Sequence, residues 1–145
     1  MKIRRIYQHL EKTDDQVLLV LYGHLLVEEG LRDILQRKLA LEPEDLRAAR
    51  LSFNQVMALG RAILGRGNES VWDFVSRLNE ARNKIVHRLD PGDLDELLVS
   101  IITKLRADYA DHLETPRDRF RSAVMYACGY FEGYEFGRAN FVANA

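Results

Sequence analysis

Cysteine is nearly missing from this chain. Cys128 stands alone, so no intramolecular disulfide can close the fold, and a reducing, cytoplasmic setting is the expectation. Proline is scarce, at three residues, and no low-complexity stretch, linker or internal repeat divides the sequence. A single domain over residues 1–145 follows, with a frayed tail expected at 138–145. Long apolar runs are absent too. The longest, Val17 to Tyr22, is far too short to span a bilayer. Met1-Lys2-Ile3-Arg4-Arg5 is not followed by the apolar stretch and cleavage site of a secretory signal. Neither sign of charge is in excess: 21 basic against 22 acidic residues give a formal net charge of -1. No global basic field therefore steers nucleic acid to this protein. RNA could be held only where basic residues gather locally, or where two subunits combine them. Finally, no six-residue stretch alternates apolar and polar with β-branched enrichment, which excludes a sheet.

What is present is the punctuation of helices. Thr13-x-x-Gln16, Ser52-x-x-Gln55, Ser70-x-x-Asp73 and Thr115-x-x-Asp118 read as capping boxes or close variants, in which a hydroxyl accepts from an orphan backbone N–H. Pro116 after Thr115, and Pro91 after Asp90, suit a first helical position, where a missing N–H costs nothing. Five main helices are predicted, at 14–39, 53–64, 70–88, 92–113 and 116–136, with short ones at 3–11 and 43–49. The expected fold class is all-α, an antiparallel helical bundle with short connections. Apolar residues make up 47% of the chain, enough for an ordinary globular core.

Three places break the amphipathic pattern. In the helix predicted at 70–88, Val71, Phe74, Val75, Leu78, Ala81 and Ile85 form one stripe, and Arg82 falls among them. A guanidinium there needs a partner, because an unpaired buried charge costs several kcal/mol. It is either a structural or snorkelling arginine, or one facing a specialised cleft. His87 closes the same helix, four residues after Asn83, whose amide is in reach of the imidazole. A histidine at a helix C-terminus is poised to exchange protons near neutrality, although a cap or a packing residue is the simpler account. On the helix at 14–39, His24 and Glu28 lie one turn apart beside Val17, Leu21, Leu31 and Leu35. Glu28 is expected to pair with His24 or, across the bundle, with Arg82; a buried network fixing helix register is the favoured reading. His-x3-Glu spacing is too little for a zinc site, and His9 and His112 add no pattern. No metal or cofactor is expected. The last helix carries Gly129, Gly133 and Gly137 at intervals of four, interleaved with aromatics. Each mid-helix glycine costs about 1 kcal/mol, which close packing within the chain or at a dimer contact would offset.

The stretch Trp72 to His87, ending Leu78-Asn79-Glu80-Ala81-Arg82-Asn83-Lys84-Ile85-Val86-His87, resembles the signature of HEPN domains. That signature is an arginine, an adjacent polar residue, and a histidine five after the arginine. The resemblance extends over about residues 14–113, with Leu51-Ser52-Phe53-Asn54-Gln55 also similar to bacterial members. It implies a homodimer that joins two arginine–histidine motifs in one cleft, and a metal-independent endoribonuclease of the toxin or defence type, with an antitoxin or other protein as a further partner. Arg82 would hold the phosphate, His87 would move protons, Asn83 would orient His87, and Lys84 and Arg88 would gather RNA. The resemblance equally admits a non-catalytic regulatory or protein-interaction module.

Overall fold

The computed structural model describes the backbone of residues 2–65, 67–87, 94–102 and 115–143. Among these residues there are seven helices and no strand: α1 (Lys2–Lys12), α2 (Gln16–Leu39), α3 (Pro43–Ala49), α4 (Phe53–Leu64), α5 (Glu69–His87), α6 (Leu94–Ile102) and α7 (Pro116–Ala143). The fold is an all-α helical bundle. None of the described helices is long and apolar enough to cross a membrane.

Local chemistry explains most boundaries. Ser52 caps α4 as expected: its Oγ accepts from the Gln55 backbone N–H at 3.2 Å, and Gln55 Oε1 accepts from the Ser52 N–H at 2.9 Å. Thr115 caps α7 with its hydroxyl, which accepts from Asp118 N at 3.1 Å and donates to Asp118 Oδ2 at 2.8 Å, with Pro116 in the first turn. The other two boxes do not form. Asp15, not Thr13, caps α2, its carboxylate accepting from Leu18 N at 3.0 Å. A carboxylate suits the positive end of the helix dipole better than a hydroxyl does. Helix α5 starts at Glu69, and Ser70 donates to Asn68 Oδ1 at 2.7 Å, while Asp73 is taken by Arg77. α7 continues to Ala143, past the predicted stop at 136. The Asp90-Pro91 start and residues 103–114 lie outside the described residues.

α2 is the central helix and packs against α1, α4, α5 and α7. Its buried residues are Leu19, Val20, Leu26, Val27, Leu31, Ile34 and Leu35, with Gly23 and His24. They point to several sides, as a helix enclosed by neighbours requires. Val17 and Leu21, expected on the core face, are only partly buried, because the side of α2 they occupy is incompletely covered. Close crossings depend on two glycines. A Cβ on Gly23 would stand 2.8 Å from Phe120 Cζ of α7, and one on Gly60 would stand 2.9 Å from Leu31 Cδ2. Gly129, by contrast, has no atom of the described residues within 4 Å of where its Cβ would be. Among the described residues, no other helix of the chain packs against that glycine.

Candidate functional site

Two landmarks set the register between α2 and α5. His24 meets Asn79, and Leu31 and Trp72 both converge on Gly60. The two helices therefore run in opposite directions, and the C-terminal turns of α5 lie beside the N-terminal half of α2.

A chain of polar groups crosses the bundle at this level. Asn54 Oδ1 of α4 accepts from Asn79 Nδ2 at 3.3 Å. Asn79 Oδ1 lies 3.0 Å from His24 Nε2. His24 Nδ1 is 3.9 Å from Glu28 Oε2. Glu28 Oε1 accepts from Arg32 Nε at 3.2 Å and Nη2 at 2.9 Å, and Nη2 also donates to the Leu51 carbonyl at 3.1 Å. His24 and Asn79 are buried, at 5% and 8% exposure, and Phe53 covers the imidazole at a ring-centroid distance of 4.4 Å. The atom of Asn79 that faces the ring is its amide oxygen, which can only accept, while the amide nitrogen donates to Asn54. The neutral imidazole therefore carries its proton on Nε2 and leaves Nδ1 bare toward Glu28. Burial pulls the His24 pKa below its ordinary value. The Asn79 bond and the Glu28 carboxylate push the other way, and the positive charge of Arg82 adds to the lowering. The favoured reading of His24 and Glu28, a network joining helices, agrees with this geometry. Asn79, Asn54 and Arg32 were not singled out by sequence; the available signal was an asparagine on the core stripe of α5, one turn before Arg82.

Arg82 is half-buried, and its Nη1 donates to Asn83 Oδ1 at 3.2 Å. Two expectations fail here. Glu28 pairs with Arg32 on its own helix, one turn away, instead of crossing to Arg82. The Asn83 oxygen faces its neighbour Arg82, so among the described contacts it does not orient His87. Lys84 and His87 are exposed, and Arg88 lies outside the described residues. Five residues of helix turn His87 about 140° from Arg82 and move it ~7.5 Å along the axis. One chain thus presents the two groups on different sides of α5.

Elsewhere the options narrow. His9 stacks on Tyr22 at 5.3 Å, and His112 is outside the described residues. No three His, Cys, Asp or Glu side chains among the described residues gather as a metal cage. The Cys128 thiol is pushed up to about 12 by burial and by Glu132, far too high for a reactive thiolate at neutral pH. A groove of about 810 Å³ between α4 and α5 is lined by Met57, Arg61, Glu69, Trp72 and Asp73 among others. It lies toward the opposite end of α5 from Arg82, and its rim charges are already paired, Arg61 with Glu69 and Asp73 with Arg77.

Searches of protein-family models, curated proteins and solved structures give no match to this chain.

Proposed function

We propose that this protein is a HEPN-like RNA-processing protein whose site is completed by a second copy. In this reading the RNA 2′-hydroxyl attacks the adjacent phosphodiester, Arg82 grips the phosphate, and His87 carries protons to and from the reacting oxygens. The observation that carries the reading is the state of Arg82. A purely structural arginine in an apolar stripe would be buried against a carboxylate. Here Glu28 of α2 is engaged by Arg32, and the guanidinium is half-buried with only the Asn83 amide oxygen as its hydrogen-bond partner among the described residues. Most of its five donors remain for an anion. Exposed Lys84 adds local positive charge that the near-neutral whole chain lacks.

The pairing with a second copy is supported by two facts. Arg82 and His87 diverge around α5, so one chain offers only part of a converging site. Large apolar side chains also remain exposed: Val86 at 52%, one turn beyond Arg82 on α5, and, on α2, Leu18 at 41% and Leu25 at 37%. The same divergence favours, as a second reading, a non-catalytic module that binds RNA or protein through this face.

The test is incubation of the purified protein with mixed RNA in EDTA, beside Arg82→Ala and His87→Ala. Cleavage is expected to persist under chelation and to leave 2′,3′-cyclic phosphate ends. DNA, which lacks the 2′-hydroxyl, should stay intact. Loss of His87 should reduce the rate by about 10²–10⁴-fold. RNA left intact by the unmodified protein would transfer the assignment to the binding module.

A further inference from the structure

The polar chain through the bundle contains a pair that is set up for an additional proton. Glu28 uses one carboxylate oxygen for both bonds from Arg32, and that oxygen is Oε1. The other oxygen, Oε2, is the one that faces His24 Nδ1, at 3.9 Å. This is too long for a hydrogen bond, and in the neutral ring both atoms are acceptors, so nothing draws them together. The ring cannot turn to relieve this without breaking the 3.0 Å contact to Asn79, which is itself fixed by Asn54. Phe53 lies over the ring, and the His24 side chain is 6% exposed against 24% for Glu28.

We propose that His24 and Glu28 form a proton-operated latch: one proton taken from solvent onto Nδ1 draws Glu28 Oε2 onto the ring and places a positive charge beside Arg82. The product is a charge-assisted hydrogen bond, shorter and about twice as strong as a neutral one. The hydrogen bond to Asn79 is kept, since Nε2 remains a donor in the imidazolium. Arg32 keeps its hold on Oε1, so closure needs a rotation of the carboxylate and a shift of about 1 Å to reach a normal hydrogen-bond length. The charged groups facing the ring are Glu28 and, through it, Arg32 from α2, and Arg82 from α5; α4 contributes the uncharged Phe53 and Asn54. Arg82 is the group that senses the change. In the neutral state it stands beside an uncharged ring, and after proton uptake it stands beside a like charge partly compensated by Glu28. By reciprocity, an anion held at Arg82 would favour the protonated latch, and acid would favour anion binding there. The device is therefore a means of tuning the Arg82 end of α5 by pH, whatever that end binds.

The experiment is a pH titration of the His24 ring nitrogens by ¹⁵N NMR, in the unmodified protein, Glu28→Gln and Arg82→Gln, with circular dichroism to confirm the fold. It uses no RNA, so its outcome is separate from that of the ribonuclease assay. The neutral ring should carry its proton on Nε2, and the second proton should appear on Nδ1 with a midpoint below 6.5, the ordinary histidine value. Glu28→Gln should move that midpoint to lower pH and Arg82→Gln to higher pH. In the unmodified protein the new Nδ1–H should exchange slowly with water. A neutral ring protonated on Nδ1, a rapidly exchanging Nδ1–H, or a midpoint that both variants leave in place would each overturn the latch.

Discussion

Glycine to alanine substitutions at two positions should have opposite signs, although helix propensity alone assigns them the same one. Gly23 sits in α2 and Gly129 in α7, and each change to alanine gains about 1 kcal/mol of intrinsic helix preference. At Gly129 no described residue opposes that gain, because none places an atom within 4 Å of the new methyl. At Gly23 the methyl would meet Phe120 Cζ at 2.8 Å, Phe120 Cε1 at 3.0 Å and Val124 Cγ2 at 3.0 Å. Phe120 is fully buried and sits close to Phe74, with ring centroids 6.5 Å apart, so it has little room to retreat. Overpacking of a closed core costs about 1–3 kcal/mol, and the net effect at Gly23 is a loss of up to ~2 kcal/mol. In a domain of this size 1 kcal/mol moves Tm by roughly 2–4 °C. Thermal and urea unfolding of both variants should show Gly129→Ala above the unmodified protein and Gly23→Ala below it. A Gly23→Ala protein as stable as the parent would mean that α2 and α7 do not cross as closely as described.

Arg121 ties the turn after α1 to α7, donating to the Leu10 carbonyl at 3.1 Å, to the Thr13 carbonyl, and to Asp118 Oδ1 at 2.9 Å. Arg121→Ala should cost about 1–3 kcal/mol in urea unfolding, whereas loss of an exposed pair such as Arg47–Glu44 should change little. Ala40 ends α2 in the left-handed region at φ 51 and is exposed. Ala40→Gly should therefore raise stability by about 1 kcal/mol, seen as a higher Tm, because glycine has no Cβ penalty there. His24 is held below the ordinary 6.5 when folded, so on acidification the unfolded chain takes up this proton first. Its contribution is full above pH 6.5 and is lost as pH falls below it. The stability difference between the parent and His24→Gln should shrink over that window, and a difference that stays constant with pH would contradict the burial argument.

The sequence disclosed those features of the fold that are settled within one turn of chain. Ser52 and Thr115 cap as expected, and α4 spans the predicted residues, because the hydroxyl, the residue three ahead and the helix start are local neighbours. Thr13 does not cap because Asp15, two residues on, takes that place, and Ser70 does not because its hydroxyl donates to Asn68. What local pattern could not reveal was which helix lies against which. Arg82 was visible as a break in an apolar stripe, but its partner was not. Glu28 had a nearer arginine one turn away on its own helix, and an i,i+4 pair forms without any tertiary contact. Likewise the glycines that matter for packing are isolated ones, Gly23 and Gly60, whose role comes from Phe120 and Leu31 crossing over them. Gly129, Gly133 and Gly137 are regularly spaced, yet at Gly129 no described residue comes within 4 Å.

The divergence of Arg82 and His87 around α5 leads to a test of how a cleaving site would be assembled. If Arg82 of one copy works with His87 of its partner, a two-fold dimer holds two composite sites. Arg82→Ala and His87→Ala proteins are each inactive alone, since every site lacks one group. Mixed and allowed to exchange subunits, half of the dimers pair one variant with the other. Each such dimer contains one site with both groups intact and one with neither. The mixture should therefore recover about a quarter of the unmodified activity. If both groups act from the same chain, every site in the mixture is still defective and no activity returns. Mass spectrometry of the exchanged dimers establishes that mixing has occurred, so a silent mixture of verified heterodimers would refute the two-chain site, while recovery near a quarter would tie the chemistry to α5 of both copies.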